Sequence, residues 1–507
     1  MTIITAPPDS AGVRRKSLLV LLIGIASSIL YLLIYFAQRA IYLNGLSRDV
    51  VGIAVRGMSA DRTRLLWESA SYYGGTVALF ALYFWLLLLC RRGQLRSGGP
   101  ARTLALLFPL LFNLGLLFGQ PYISIDVFSY MAHGYQGITP GSNPYIDAAR
   151  EVINFPFGRQ LVPWGWWPVH GISPYGPLWL QFEAAIIRLT QHIPSALLLF
   201  KSLVVASSLL CAALIWRILG RVRPKDQMLG TLVYLWNPMI VIEFAAEGHN
   251  DALMIVFVLL SLLLAVQARP TASMVALALS VLTKYMPLIF LPAQVIYFWR
   301  TRSPRWNWTQ LVLRLLLGLV IGLGLAILLY QPFWVGAETF RGVQEASQPQ
   351  IVASTRMLLS SYLQYSHSEA EAAQLATQIL TGIFSTYLLI ASLRVHDKQS
   401  LLKTFANIAL VYLLVASPGY WPWYASTPLA LMALSPHGTF RWMIFVLTFC
   451  SRLVAPLELM MTNGFMTKEV KEWNSTLIAL MLPLLIFLVL STWSTVSSRL
   501  LRNSSME

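Results

Sequence analysis

The sequence predicts an all-α polytopic integral membrane protein, on three observations. Of its 507 residues, 57% are hydrophobic and only 11% charged, where a soluble domain carries about 25% charged residues. Apolar runs near the roughly 20 residues needed to cross a bilayer recur along the whole length. Lys and Arg gather in short stretches between those runs, as cytoplasmic loops require. The alternating short segments of a membrane β-barrel are absent. The net charge of +16 follows from the loop bias. It does not indicate nucleic-acid binding, because no basic stripe or aromatic-basic module accompanies it.

The N-terminal run "RRKSLLVLLIGIASSILYLLIYFA" is longer than the core of a signal peptide and reads as an uncleaved anchor. Spans are expected near 17–38, 73–90, 103–119, 195–219, 228–245, 252–268, 271–283, 287–299, 310–330, 374–394, 402–417, 424–436, 441–459 and 475–493. The stretch "ALALSVLTKYMPLIFLPAQVIYF" reads as a hairpin of two half-length helices broken near Lys284 and Pro287. "RVRPK" at 221–225 and "RTRSPR" at 300–305 should be cytoplasmic. That orientation leaves both termini inside. It also puts every acidic residue except Asp9, Asp226, Asp397 and Glu507 on or near the outer side. The segment 39–72, with Arg39, Arg48, Arg56, Arg62 and Arg64, falls outside and should be partly amphipathic. So does 174–191, where Glu183 and Arg188 argue against a lipid-facing crossing. The latter is expected as an amphipathic helix at the outer surface or a re-entrant segment.

Four regions follow. Residues 1–102 hold N-terminal anchor helices and an outer segment. Residues 103–330 form a membrane core with an outer loop at 120–194. Residues 331–373 are a second outer loop, and 374–507 are C-terminal spans. Loops of this length are usually functional rather than connecting. Cys90, Cys211 and Cys450 each lie in an apolar run, with no zinc or redox spacing.

Chemistry is concentrated in the first outer loop. If 125–135 is helical, Asp126, Ser129, Tyr130 and His133 share one face. That face could hold a sugar, with a carboxylate to accept a proton and a phenol and an imidazole for hydroxyls; alternatively Asp126 only caps a helix. Tyr145 follows in the turn cluster "GITPGSNPYID", and Tyr175 in "SPYGPLW". The Trp and Tyr content is partly that of an interfacial aromatic belt. In "AAEGHND", His249, Asn250 and Asp251 offer sugar or acceptor contacts, a helix cap, or a weak divalent site. His133 and His170 would have to come close to complete a metal set. Lys284, at the helix break, would snorkel or meet an anion. Arg341 and Arg356 in the second outer loop are the other cations available to a phosphate.

"IDVFSYMAHGY", "GSNPY" and "PYGPLW", in that order, resemble the membrane glycosyltransferases of the GT-C class, most closely bacterial α-(1→6)-mannosyltransferases that use polyprenyl-phosphate-mannose. "WNPMIVIEFAAEGHNDALM", "LTKYMPLIFLP" and "SPGYWPWY" extend the likeness from about Leu104 to about Pro428. The resemblance implies a GT-C-like bundle of about 13–14 transmembrane helices in the bacterial inner membrane, its site facing away from the cytoplasm. It also implies that Asp126 is the catalytic base and raises Lys284 as a phosphate contact. Relatives often carry an Arg directly before this Asp, where this chain has Ile125.

The residues agree with such chemistry. No P-loop, G-x-G-x-x-G or D-x-D run is present, and nucleotide sugars are not expected outside the inner membrane. A donor there must arrive on a lipid, with a phosphate as leaving group. One base and cations to hold the phosphate then suffice, whereas glycoside hydrolysis needs two carboxyls. No cofactor is required. The expected partners are a polyprenyl-phosphate-linked sugar donor, a glycan or glycolipid acceptor, and the bilayer. In-line attack on a β-linked donor would give an α-linked product. Two other classes compete: a polymerase or ligase of lipid-linked oligosaccharide, and a lipid or sugar transporter. The latter would place polar residues at mid-membrane, often in repeated halves, and no repeat is evident.

Overall fold

The structure, a computed structural model, describes residues 10–45, 48–50, 53–55, 62–95, 99–302, 307–347, 353–435, 440–462, 466–486 and 488–489. It is almost wholly helical. Seven helices among the described residues are long and apolar enough to cross a membrane: Gly12–Ala40, Leu66–Arg91, Pro100–Leu117, Ile193–Val222, Trp308–Phe333, Glu369–Leu393 and Lys398–Ala416. Pro224–Leu235 and Pro238–Ala246, bent by 51°, make an eighth if counted as one broken span. The other expected spans are shorter. Asp251–Val266, Pro270–Thr283 and Trp442–Leu457 are apolar helices below spanning length. The stretch 424–436 yields only a seven-residue helix, Ser426–Met432, and the end of 475–493 lies outside the described residues. Apolar composition reveals burial, but a buried half-helix and a true crossing read alike in sequence.

Helix α1 (Ser10–Gly45) runs into a small antiparallel hairpin, with Arg48 opposite Val55, and α2 (Arg62–Arg91) returns against α1. The segment expected outside at 39–72 thus consists, among the described residues, of the ends of two long helices and this hairpin, with 41–65 lying between the spanning stretches Gly12–Ala40 and Leu66–Arg91. α3 (Pro100–Leu117) packs on α1. It carries Pro109, which cannot donate to the carbonyl of Ala105. The indole N–H of Trp236 donates to that carbonyl instead, at 2.6 Å, as a buried acceptor requires.

The first outer loop holds α4 (Asp126–Gln136), the short α5 (Pro156–Leu161) and α6 (Pro177–Leu189). α6 is too short to cross. It packs its Trp179, Glu183 and Ile187 side against α4, so it is a buried buttress and not a helix lying on the surface. α7 (Ile193–Val222) and α8 (Gln227–Leu235) lead to α9 (Pro238–Val241). Asn237 caps α9 by accepting from the Met239 N–H, with Pro238 at the first turn as helix starts favour. A π-helical turn, Ile242–Ala246, follows. Such turns are rare and often mark functional sites. α10 (Asp251–Val266) and α11 (Pro270–Thr283) form a tight hairpin. Lys284 is extended at the end of α11, and α12 (Leu291–Arg300) resumes after a 3₁₀ turn, which is the break expected there. α13 (Trp308–Tyr330) packs on α11.

The second loop contributes α14 (Arg341–Ser347) and α15 (Thr355–Leu363). The C-terminal part comprises α16 (Glu369–Leu393), α17 (Lys398–Val411), α18 (Ser426–Met432), α19 (Phe440–Thr462) and α20 (Lys468–Thr476). At the end of α10 away from Asp251, Arg221, Arg302 and Lys398 line a cavity of about 480 Å³. Asp397 also lines it.

Candidate active site

The site is built where three chain reversals meet: the entry to α4, the turn between the π-helical segment and α10, and the loop 417–425. The chain enters α4 under restraint. Glu247 accepts hydrogen bonds from the backbone N–H groups of Ile123 (3.1 Å) and Ser124 (3.0 Å). Lys201, fully buried, donates to the carbonyl of Leu116 at 2.9 Å and to that of Gly119, which satisfies orphan acceptors at the end of α3. Gly248 has φ +81°, and a Cβ there would come within 3.3 Å of Lys201 Cγ. Glycine is the residue that takes this turn freely.

Asp126 is the first residue of α4. Its side chain makes no capping bond: the cap position is Ile125, without a side-chain hydrogen bond. The capping alternative for Asp126 is therefore excluded, and its carboxylate is aimed elsewhere. The Tyr175 hydroxyl donates to Oδ2 at 3.4 Å. Two imidazoles flank it, His170 Nε2 at 3.8 Å from Oδ1 and His249 Nε2 at 3.9 Å from Oδ2. The Asp126 side chain keeps 14% exposure, against 35% for His170 and 0% for His249.

The two histidines have different surroundings. His170 Nδ1 bonds to Ser129 Oγ at 2.8 Å. Burial lowers its pKa, and the nearby Asp126 opposes this only in part. His249 Nδ1 lies 3.1 Å from Glu243 Oε2, and its ring stacks on Trp423 at 3.8 Å. Burial alone would lower its pKa, but the bond to Glu243 and the charges of Glu243, Asp126 and Asp251 more than offset that, so it is raised. Behind Glu243, the buried Arg452 of α19 pairs with Oε1 and donates to the Tyr72 hydroxyl of α2 at 2.9 Å.

Next to this cluster, Asp251 takes both of its oxygens to Lys284 Nζ, at 2.9 and 3.0 Å. The same ammonium sits 4.7 Å above the Tyr424 ring. Tyr130 is fully buried against Tyr175, Trp179 and Phe200, and its hydroxyl accepts from the Asn250 N–H at 3.5 Å. The structure thus brings Asp126, Tyr130, Tyr175, His249, Asn250, Asp251 and Lys284 together from distant parts of the chain.

Other expected site residues lie apart. His133, one turn along α4 from Ser129, is buried with Nδ1 3.9 Å from Glu183 Oε2. Burial pushes its pKa down to about 3, so it is a neutral interior group. Tyr145 is fully buried and donates to the Tyr175 carbonyl at 3.1 Å, so it supports Tyr175 from behind. Arg341 pairs with Glu345 at 2.9 Å on an exposed helix face. Arg356 is buried and donates to the Pro418 carbonyl at 2.8 Å, bracing the 417–425 loop. Among the described residues, no group of three or more His, Cys, Asp or Glu side chains is placed to hold a metal ion.

Sequence reasoning missed Glu243, Arg452 and Trp423, and it considered His170 only as a metal ligand. The signal for two of them was present: a Glu and an Arg each inside an apolar run, which in a membrane protein marks function or pairing.

The model of the family described as "Alpha-(1->6)-mannopyranosyltransferase, N-terminal domain" matches residues 21–300, more than half of the chain. The chain belongs to this family. The matched region contains Asp126, His170, Tyr175, Glu243, His249, Asp251 and Lys284, whereas Trp423, Tyr424 and Arg452 lie beyond it. A curated relative, alpha-(1->6)-mannopyranosyltransferase A of Corynebacterium glutamicum, is 28% identical over 182 residues. That alignment spans 35% of this chain and 35% of the relative's length.

Proposed function

We propose that this family member is an inverting hexosyltransferase. It moves mannose from a polyprenyl-phosphate donor to an extracytoplasmic glycan or glycolipid acceptor and leaves an α-linkage. The observation that carries the reading is the single carboxylate of Asp126. It is flanked by the Tyr175 hydroxyl and two histidines and stays partly exposed, and Lys284, at the break of the α11–α12 hairpin, pairs with Asp251, whose charge acts on the same His249.

Asp126 accepts the proton of the acceptor hydroxyl as that oxygen attacks the anomeric carbon. The bond from that carbon to the phosphate oxygen breaks, and the lipid phosphate leaves with the electron pair. A phosphate is a good leaving group, so no second carboxylic acid is needed to protonate it. Lys284 supplies positive charge for the phosphate and is kept in place by Asp251 and Tyr424, an arrangement of the kind that stabilises developing negative charge. Tyr175 orients the Asp126 carboxylate.

The test uses purified protein in detergent, with labelled polyprenyl-phosphate-mannose and a synthetic α-(1→6)-linked oligomannoside as acceptor. Asp126→Asn should reduce turnover by about 10²–10⁴-fold with an unchanged melting temperature. Turnover close to that of the unmodified protein would remove Asp126 from the mechanism. A panel of glucose, galactose and arabinose donors, and of diphosphate-linked oligosaccharide, separates this reading from the ligase alternative. A transporter would transfer no label at all.

A further inference from the structure

Asp126 must lose the proton it collects before each new turnover, and it lies between two imidazoles whose surroundings differ on every count. We propose that they divide the labour: His249 is a positioning residue that holds the Asp126 carboxylate, and His170 carries the acceptor's proton from Asp126 to water. This rests on Asp126 being the base.

The argument begins with connectivity. His249 is fully enclosed, lies flat on Trp423, and gives Nδ1 to Glu243, which is itself fixed by Arg452 and Tyr72. Its Nε2 is buried, has no hydrogen-bond partner, and points toward Asp126 Oδ2 at 3.9 Å. A shift of about 1 Å would make this a direct bond. That ring has no exposure of its own, so any proton it gives up must leave by way of a neighbouring group. The charges around it come from every packed element: Asp126 from α4, Glu243 from the π-helical turn with Arg452 of α19 behind it, Glu247 just after that turn, and Asp251 from α10 with its partner Lys284. The direct bond to Glu243 and the neighbouring carboxylates of Asp126 and Asp251 favour the imidazolium, whose Nε2–H then faces the Asp126 carboxylate and aims it.

His170 is the opposite case. A third of its side chain is exposed. Ser129 Oγ also reaches the Ile125 carbonyl at 3.5 Å, so the serine hydrogen has an acceptor of its own in the tautomer in which His170 Nδ1–H donates to the serine oxygen, the tautomer this proposal requires. That leaves the Nε2 lone pair facing Asp126 Oδ1 at 3.8 Å. Besides Asp126, the charged or titratable groups near it are the neutral His133 and, beside Gly171, Glu345, which Arg341 neutralises. The step balances. The O–H proton of the acceptor passes to Asp126 and then to His170 Nε2, and a solvent water removes it from the exposed imidazolium.

Two groups with environments pushed apart give two limbs in the rate–pH profile. On the acid side, turnover falls as His170 becomes protonated and can no longer accept, at a pH below the ordinary imidazole value. On the alkaline side, it falls as His249 loses its proton, at a pH above that value.

The experiment measures kcat and KM against pH for the full-length protein and for His170→Gln, His249→Gln, Glu243→Gln and Asp126→Asn, with and without added imidazole. His170→Gln should lower kcat by about 10-fold to 100-fold, leave both KM values unchanged, and recover with imidazole, since its site is open to solvent. Glu243→Gln should move the alkaline limb to lower pH, and imidazole should rescue neither it nor His249→Gln. Should both of those variants misfold, Tyr72→Phe weakens the same chain at its far end and should shift the same limb by a smaller amount. Full-speed turnover of His170→Gln, or rescue of His249→Gln instead, would overturn the division of labour. Activity in Asp126→Asn would overturn the underlying base assignment and is read separately.

Discussion

Asp126 shows how much a position in a helix can conceal. As an acid at a helix start it has the appearance of a cap, yet its N–H is taken by Ser124 Oγ at 3.2 Å and its carboxylate turns toward Tyr175 and two histidines. Lys284 raises a related question. It sits in a two-oxygen ion pair with Asp251 and above an aromatic face, which fixes its ammonium while the side chain stays partly exposed. A lysine held in this way is pre-organised for an anion. Lys284→Ala should therefore raise the apparent KM for the lipid-phosphate donor more than it lowers turnover at saturating donor. Lys284→Arg should restore much of that affinity, because charge at this point is what matters. Donor titrations decide the matter, and an unchanged KM in Lys284→Ala would move the phosphate site elsewhere. Arg341, on an exposed helix face beside Glu345, and Arg356, engaged with the Pro418 carbonyl, are the cations that such a result would bring forward.

At the scale of elements, the contact between α4 and α6 fixes the site. α6 carries Tyr175 just before its start, and α4 carries Asp126 at its own. The distance between them is set by Gly134: a Cβ there would come within 2.5 Å of the Glu183 carbonyl oxygen and 2.8 Å of its carbonyl carbon. Backbone atoms cannot swing aside, so Gly134→Ala should push the helices apart. The expected cost is about 1–3 kcal/mol, seen as a lower melting temperature in detergent, together with a loss of turnover. Gly115→Ala in α3, where a Cβ meets nothing within 4 Å, is the control and should be neutral or slightly stabilising. Equal melting temperatures for the two variants would show that the α4–α6 spacing is not fixed at this point. The π-helical turn at 242–246 has a comparable role. It changes the register of the chain so that Glu243 faces His249 while Glu247, four residues on, reaches back to the loop before α4.

The whole molecule separates its charges. Arg221, Arg302 and Lys398 gather at one end of the bundle, and the Asp126 cluster lies at the other. If the basic end is cytoplasmic, a cysteine introduced at the exposed Glu151 should react with a membrane-impermeant maleimide in intact cells, and one at Lys398 only after permeabilisation. The three native cysteines are buried, so background labelling should be low. The reverse pattern would invert the orientation and place the site against the cytoplasm.

By itself the sequence determined the solvent in which the chain folds, the break at Lys284, and the loops in which the reactive residues lie. Each of these depends on hydropathy or on local backbone preference, which are properties of short windows. Only the tertiary structure decided that His133 and Tyr145 are interior supports and that several apolar runs are half-length helices. It also decided that Glu243, Arg452 and Trp423 stand behind His249. Those outcomes depend on which faces meet across 200 residues or more, as Arg452 meets Glu243, and no periodicity along the chain encodes such a meeting. A buried charge is tolerable only beside its partner, and packing alone brings the partner there.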